Sequence, residues 1–285
     1  MIRRLAIIGV GLIGGSLALA LRRAGYCGEV IGCGRGVANL DEAVRLGIID
    51  RYETDPAQAV QGADFVVLAV PLGAMQDTFA VIRDVLAADA VVTDVGSAKG
   101  SVVAAARAAC GEVPPWFVPG HPIAGTERSG ATAAFAELFQ GRRVILTPTA
   151  TTADDARRRV RAAWEVAGAV VEEMPVEHHD EVLAATSHLP HMLAFTLVES
   201  LSRMSDSDEI FRYAAGGFRD FTRIASSDPV MWRDIALANR DALLTVTQRY
   251  RRDLDELMDA IARGDGQALL RLFQDAKAAR DRFCH

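Results

Sequence analysis

The sequence predicts an α/β protein, with a doubly wound, mostly parallel sheet in its N-terminal part and an all-helical part after it. Three observations predict this. Short apolar runs alternate with helical or alanine-rich stretches through the first half. A glycine-rich turn joins the first run to the first helical stretch. After Met174-Pro175 the strand pattern stops and helical periodicity takes over. The expected units are therefore 1–174 and 175–285.

Leu5 to Ile8 forms the first apolar run, followed by Gly9-Val10-Gly11-Leu12-Ile13-Gly14. Leu17, Leu19 and Leu21 follow among alanines, and Gly25 closes the segment. This order reads as buried strand, glycine turn, helix and helix stop. Further strands are expected at Val30-Ile31, Phe65 to Val70, Val91 to Val95 and Val144 to Leu146. In the second part a helix is expected from about Val176 to Met204, with Val182, Leu189, Leu193 and Leu197 on its apolar side. Asp228-Pro229 supplies an N-cap followed by proline at the first helical position, and the pattern continues to Arg263 before Gly264. At ~1.5 Å per residue that helix would be roughly 50 Å long. Such length exceeds what a small helical domain covers, so a partner subunit is expected beside it. A last helix is expected over about Gly266 to Phe283.

Half of the 285 residues are hydrophobic and 24% are charged, which supplies a packed core and excludes a disordered chain. The longest apolar stretches, such as Phe65 to Leu72, fall far short of the roughly 20 residues that a bilayer requires. The charged start Met1-Ile2-Arg3-Arg4 leads into a short strand rather than a signal peptide, so a soluble, cytoplasmic protein with no membrane partner is expected. A net charge of -6 argues against nucleic acid as a partner but leaves room for a small anion held by local arginines. Cys27, Cys33, Cys110 and Cys284 show no metal spacing and are expected to be reduced thiols.

The glycine motif has a physical task. Gly9 makes the tight turn, Gly11 lets the backbone approach a pyrophosphate, and Gly14 lets helix and strand pack closely. The helix N-terminus then offers free N–H groups to the phosphates. Its place at the first strand-to-helix turn, about 20 residues before the second strand, predicts a Rossmann-like dinucleotide site. NAD-binding chains carry an acid at the end of the second strand, whereas this one reads Cys33-Gly34-Arg35. Arg35 could pair with a 2′-phosphate, stack on adenine, or simply be solvated. The cofactor is therefore NAD or NADP.

Four features could carry chemistry. Ser97, in Asp94-Val95-Gly96-Ser97-Ala98-Lys99, stands at a strand's carboxyl end, where open parallel sheets bind ligands; the alternative is a cap on the next helix. His121, in Gly120-His121-Pro122, is a poor core filler and has the intrinsic pKa of a base near neutrality; the alternative is a turn histidine in a loop. His188 and His191 lie three apart on one helical face, where they could bind an anion or brace the structure; no acid or cysteine at diagnostic spacing supports a metal, and none is expected. Arg219 and Arg223 share a helical face opposite Phe218, Phe221 and Ile224. Like charges at that spacing repel by about 0.2–0.5 kcal/mol, which a bound polyanion would relieve; the alternative is a solvated face.

Taken in order, these segments resemble the prephenate/arogenate dehydrogenase family of tyrosine biosynthesis. The resemblance covers nearly the whole chain and is most specific around His121 and Arg223. It implies oxidative decarboxylation of prephenate to 4-hydroxyphenylpyruvate, or of arogenate to tyrosine, with hydride transfer to NAD or NADP. It implies that His121 and Ser97 act on the C4 hydroxyl and that Arg223 clamps a substrate carboxylate. Arg219, His188, His191 and Glu127 would line the same pocket, and Val70 and Pro71 would join Arg35, Ser97 and the Gly9–Gly14 turn around the cofactor. It further implies a homodimer through the helical part; the regulatory ACT domain or chorismate mutase fusion that some relatives carry is not expected here. Two other classes stay open. A β-hydroxyacid dehydrogenase would need a catalytic lysine in the second part, where only Lys277 occurs. A non-catalytic dinucleotide sensor would need neither His121 nor Arg223 in these settings.

Overall fold

A computed structural model describes residues 1–126 and 128–283, so Glu127 and Cys284 lie outside the described residues. The chain opens with β1 (Ile2–Ile8), α1 (Leu12–Arg23), β2 (Cys27–Cys33), α2 (Val37–Arg45), β3 (Arg51–Glu53) and α3 (Pro56–Ala59). It continues with β4 (Phe65–Leu68), α4 (Met75–Ile82), β5 (Val91–Asp94), α5 (Lys99–Cys110) and β6 (Phe117–Val118). These six strands pair in parallel in the order β3-β2-β1-β4-β5-β6. The order reverses between β1 and β4, which opens a crevice at the carboxyl ends of those two strands.

The central strands are apolar throughout because both of their faces are covered. Leu5, Ile7, Phe65 and Val67 enter a core with Leu17, Leu21 and Trp164. Their neighbours Ala6, Ile8, Val66 and Leu68 enter the opposite core with Phe79, Val102 and Phe117. The strands expected to reach Val70 and Val95 stop pairing at Leu68 and Asp94, which frees the residues that follow to shape the crevice.

At Pro119 the chain leaves this sheet for a second one, made of β7 (Gly120–Pro122), β8 (Arg143–Leu146) and β9 (Val170–Glu173), with α6 (Asp154–Val166) between the last two. β7 runs antiparallel to β8, while β8 and β9 are parallel. The predicted strand at Val144 therefore belongs to a separate mixed sheet. β3, β6 and β7 were not anticipated, being two or three residues long, and β9 shows no apolar run because two glutamates follow its two valines.

The expected helix from Val176 to Met204 is divided. α7 (Val176–Leu183) passes through one π-helical turn, Ala184–His188, into α8 (Leu189–Ser202). Pro190 in the first turn of α8 has no N–H for the preceding turn, which removes one helical hydrogen bond where the π turn sits. α9 (Ser207–Arg212), α10 (Gly216–Thr222) and a 3₁₀ turn (Arg223–Ser226) follow. Asp228 then caps α11 (Pro229–Ala238) by accepting from the N–H groups of Val230 and Met231. The single rod expected from 229 to 263 is instead broken at Asn239, after which α12 (Arg240–Ala262) and α13 (Gly266–Phe283) complete the chain.

The chain divides into two compact units, Met1–Asn239 and Arg240–His285. Within the second, Gly264 adopts φ +66° between α12 and α13, and Leu244, Met258, Ile261, Leu270 and Phe273 are exposed. Among the described residues no helix is long and apolar enough to cross a membrane.

Candidate active site

Each glycine of the first turn meets a different constraint. Gly9 has φ +103°, and a Cβ there would lie 2.2 Å from the Ala69 carbonyl oxygen. A Cβ on Gly14 would lie 2.5 Å from the Gly9 oxygen and 2.7 Å from Ile7 Cγ2, so only glycine lets α1 pack this close to β1. At Gly11 a Cβ would meet nothing within 4 Å, which leaves that backbone open to a ligand. Among the described residues no side chain caps α1, so its first N–H groups remain for an anion.

A cleft of about 570 Å³ occupies the crevice, bounded in part by Gly9, Val10, Gly11, Arg35, Val70 and Pro71. An open glycine backbone, an uncapped helix start and this cleft fit a dinucleotide. Leu12 and Gly14 are buried, and neither they nor Ile13 and Ser97 line the cleft. Gly34 does line it, no acid stands there, and a Cβ at Gly34 would meet only Leu40 atoms at 3.6 Å and beyond.

His121 lies in β7 and is 8% exposed, not in a loop. The backbone before it is held twice: Asp94 Oδ1 accepts from the Gly120 N–H at 3.0 Å, and the Lys99 ammonium donates to the Gly120 carbonyl at 2.7 Å. Lys99 also pairs with Asp94, and both side chains are fully buried. The His121 ring meets His179, Nδ1 to Nε2 at 2.9 Å, and His179 Nδ1 lies 2.8 Å from Asp180 Oδ1. Asp180 accepts as well from the N–H groups of Lys99 and Gly100 at the start of α5, both at 2.8 Å. Burial raises the Asp180 carboxyl, but the hydrogen bonds from His179 and these two N–H groups together hold it below its ordinary value. Burial pushes His121 well below the usual imidazole value, and the Lys99 ammonium, like any protonation of His179 or His188, acts the same way. It is therefore neutral near pH 7, the form that accepts a proton.

His188 ends the π turn and is buried. The Asn239 amide donates to His188 Nδ1 at 3.1 Å and to the Asp180 carbonyl at 2.8 Å, and the Ser97 backbone also hydrogen-bonds the His188 ring. Burial lowers His188 to about 4, with the Asp180 charge opposing. These two bonds fix the buried Asn239 side chain at the C-terminal end of α11. His191 Nδ1 donates to the Ser187 carbonyl at 2.8 Å, and its ring stacks on Trp232 with centroids 3.6 Å apart. Burial lowers its pKa and the Arg223 charge acts against protonation, so Arg223 belongs to the same neighbourhood. Arg223 and Arg219 are exposed, and neither has an ion pair among the described residues.

Ser97, His121, His188, His191 and Arg223 are thus drawn into one connected cluster, while among the described residues no contact ties Arg219 into it, and Glu127 lies outside the described residues. Sequence reasoning missed His179, Asp180, Asn239 and Trp232. A histidine beside an acid, nine residues before His188, was the available signal, and only the spacing from Ser187 to His191 was weighed.

Comparison with known proteins agrees across both parts of the chain. The model of the prephenate dehydrogenase nucleotide-binding domain matches residues 17–173, and that of the prephenate dehydrogenase dimerization domain matches 175–275. Cyclohexadienyl dehydrogenase of Zymomonas mobilis is 42% identical over 283 residues, covering 98% of this chain and 95% of that protein. The crystal structure of prephenate dehydrogenase from A. aeolicus, in complex with hydroxyphenyl propionate and NAD+, matches with a TM-score of 0.92 at 40% identity, covering 99% of this chain and 98% of that one. Synechocystis arogenate dehydrogenase matches with a TM-score of 0.82 at 31% identity, covering 98% and 99%. This chain belongs to the prephenate dehydrogenase family.

Proposed function

We propose that the chain oxidatively decarboxylates prephenate or arogenate at the His121 cluster, and the observation that carries this is a buried, neutral His121 with one ring nitrogen committed to His179. Its other nitrogen is left to accept a proton. A dinucleotide held at the Gly9–Gly14 turn and the cleft beside it would supply the acceptor for the hydride at C4 of the substrate ring. His121 accepts the C4 hydroxyl proton as the carbonyl forms, and Ser97 orients that hydroxyl. The bond to the ring carboxylate then breaks, CO₂ leaves, and its electron pair aromatises the ring. The C4 oxygen takes its proton back from His121, so no net proton is released. Aromatisation supplies the driving force, and the protein supplies aim and charge.

Arg223 clamps a substrate carboxylate through its planar fork, which a point charge cannot imitate. His191, with its proton on Nδ1 toward Ser187, presents Nε2 to the same side. His188 acts through Ser97, whose backbone it holds. Arg219 adds positive charge, and Glu127 polarises or gates the pocket. The boundary at 174/175 divides the chain by role, because the compact unit Met1–Asn239 carries both the cleft and the histidine cluster.

Two copies associate through the helical part. Ile235 and Leu243 are buried within the chain, whereas the apolar surface open to a partner includes Leu244, Met258, Ile261, Leu270 and Phe273. A reducing, cytoplasmic setting agrees with free thiols at Cys27, Cys33 and Cys110. Steady-state assays crossing prephenate and arogenate with NAD+ and NADP+ test the reading. Equimolar CO₂ and reduced cofactor with at least one substrate is the expected result; no turnover with any combination contradicts it.

A further inference from the structure

We propose that His179 and Asp180 are positioning residues that set the ring proton of His121, through a directed hydrogen-bond chain running from the Asp180 carboxylate to His121 Nδ1. The proposal rests on His121 being the proton acceptor and adds what makes it one. Direction follows from the end of the chain. Asp180 can only accept at Oδ1, so the proton between it and His179 sits on His179 Nδ1. With one proton per ring, His179 Nε2 then carries a lone pair. The 2.9 Å contact to His121 must be filled from the other side, which puts the His121 proton on Nδ1. Nε2 of His121 is left bare for the substrate hydroxyl.

The anchor is rigid. The Asp180 oxygens also accept the first N–H groups of α5 from Lys99 and Gly100, so the carboxylate is fixed to a helix start as well as to His179. His179 is 0% exposed, so water does not compete for its ring. When His121 takes the substrate proton, both of its nitrogens carry hydrogen, and the chain leads the new positive charge toward Asp180. None of these groups touches the reacting atoms, so their effect passes through His121.

Replacing Asp180 would also uncap α5, so the test is made at His179 in the full-length protein. Six histidines make ¹⁵N-histidine spectra tractable, with His121 assigned through His121→Asn. Wild-type His121 is expected to carry its proton on Nδ1 without substrate, a readout independent of turnover. His179→Leu should mix the His121 tautomers and lower kcat by about 10- to 100-fold, with KM and cofactor affinity kept. His179→Gln, whose carbonyl can still accept from Nδ1, should restore the tautomer and part of kcat. A wild-type His121 protonated on Nε2 overturns the proposal even if His179→Leu fails to fold. A folded His179→Leu with normal kcat, or one whose KM alone rises, overturns it too. If His121→Asn itself keeps full kcat, the fault lies with the proposed function and not with the relay.

Discussion

Nε2 of His179 lies 2.9 Å from Nδ1 of His121, although 58 positions separate them in the chain. His121 arrives on β7, the strand that leaves the main sheet, and His179 arrives on α7, the first helix of the second part. The contact therefore joins the half of the chain that holds the dinucleotide cleft to the half that carries His188, His191 and Arg223. A change at either ring acts on the proton acceptor, and a change at the arginines acts on substrate capture. Kinetics can separate the two.

Arg223→Ala is expected chiefly to raise KM, because a carboxylate clamp works in ground and transition states alike. Loss of a charge-assisted hydrogen-bonded pair is worth roughly 1.5–3 kcal/mol, or about 10- to 150-fold. Arg223→Lys should recover only part of it. Unchanged KM in Arg223→Ala, measured by steady-state kinetics, would remove the clamp.

Cofactor choice should be relaxed, because no acid stands at Gly34 to accept from the ribose hydroxyls. Gly34→Asp is sterically mild, since a Cβ there meets only Leu40 at ordinary contact distance. It should depress NADP+ use far more than NAD+ use, by repelling the 2′-phosphate. Equal loss with both cofactors would show that the position does not face the ribose.

Folding stability should fall with acid. His121 is held well below its ordinary value of 6.5 and His188 at about 4, both by burial, so the unfolded chain binds protons that the folded one refuses. The contribution is fully present above 6.5 and is lost as the pH drops toward about 4, at ~1.4 kcal/mol per pH unit for each such group. Denaturant midpoints measured across that interval should decline, and His188→Asn should flatten the slope. A midpoint independent of pH contradicts the burial of neutral imidazoles.

Light scattering should find a dimer of the 30.6 kDa chain at micromolar concentration. Met258→Asp combined with Phe273→Asp should shift it toward monomer, because both side chains are exposed and apolar. A wild-type monomer would leave that surface without its partner.

Much of this was legible from residues alone. The glycine turn specified the first βαβ unit because its three positions answer to separate steric demands, now visible at Gly9, Gly11 and Gly14. Buried parallel strands showed as continuous apolar runs, while β6 and β7, with two and three residues, were too short to register. The breaks at the π turn and at Asn239 were hidden for a different reason. A helical period runs through both; Pro190 marks the first, while at the second the buried Asn239 side chain meets His188 and Asp180, partners that no local spacing shows. His179 escaped notice because its ring partner is 58 residues away, and its adjacency to Asp180 was a signal left unweighed.

His121→Asn tests the central claim most directly. Asparagine keeps polarity near the ring position but cannot take up a proton, so kcat should fall by about 10²–10⁴ while KM and cofactor affinity stay close to wild type. Near-normal kcat, or a loss confined to cofactor binding, would mean that His121 is not the group at the C4 hydroxyl.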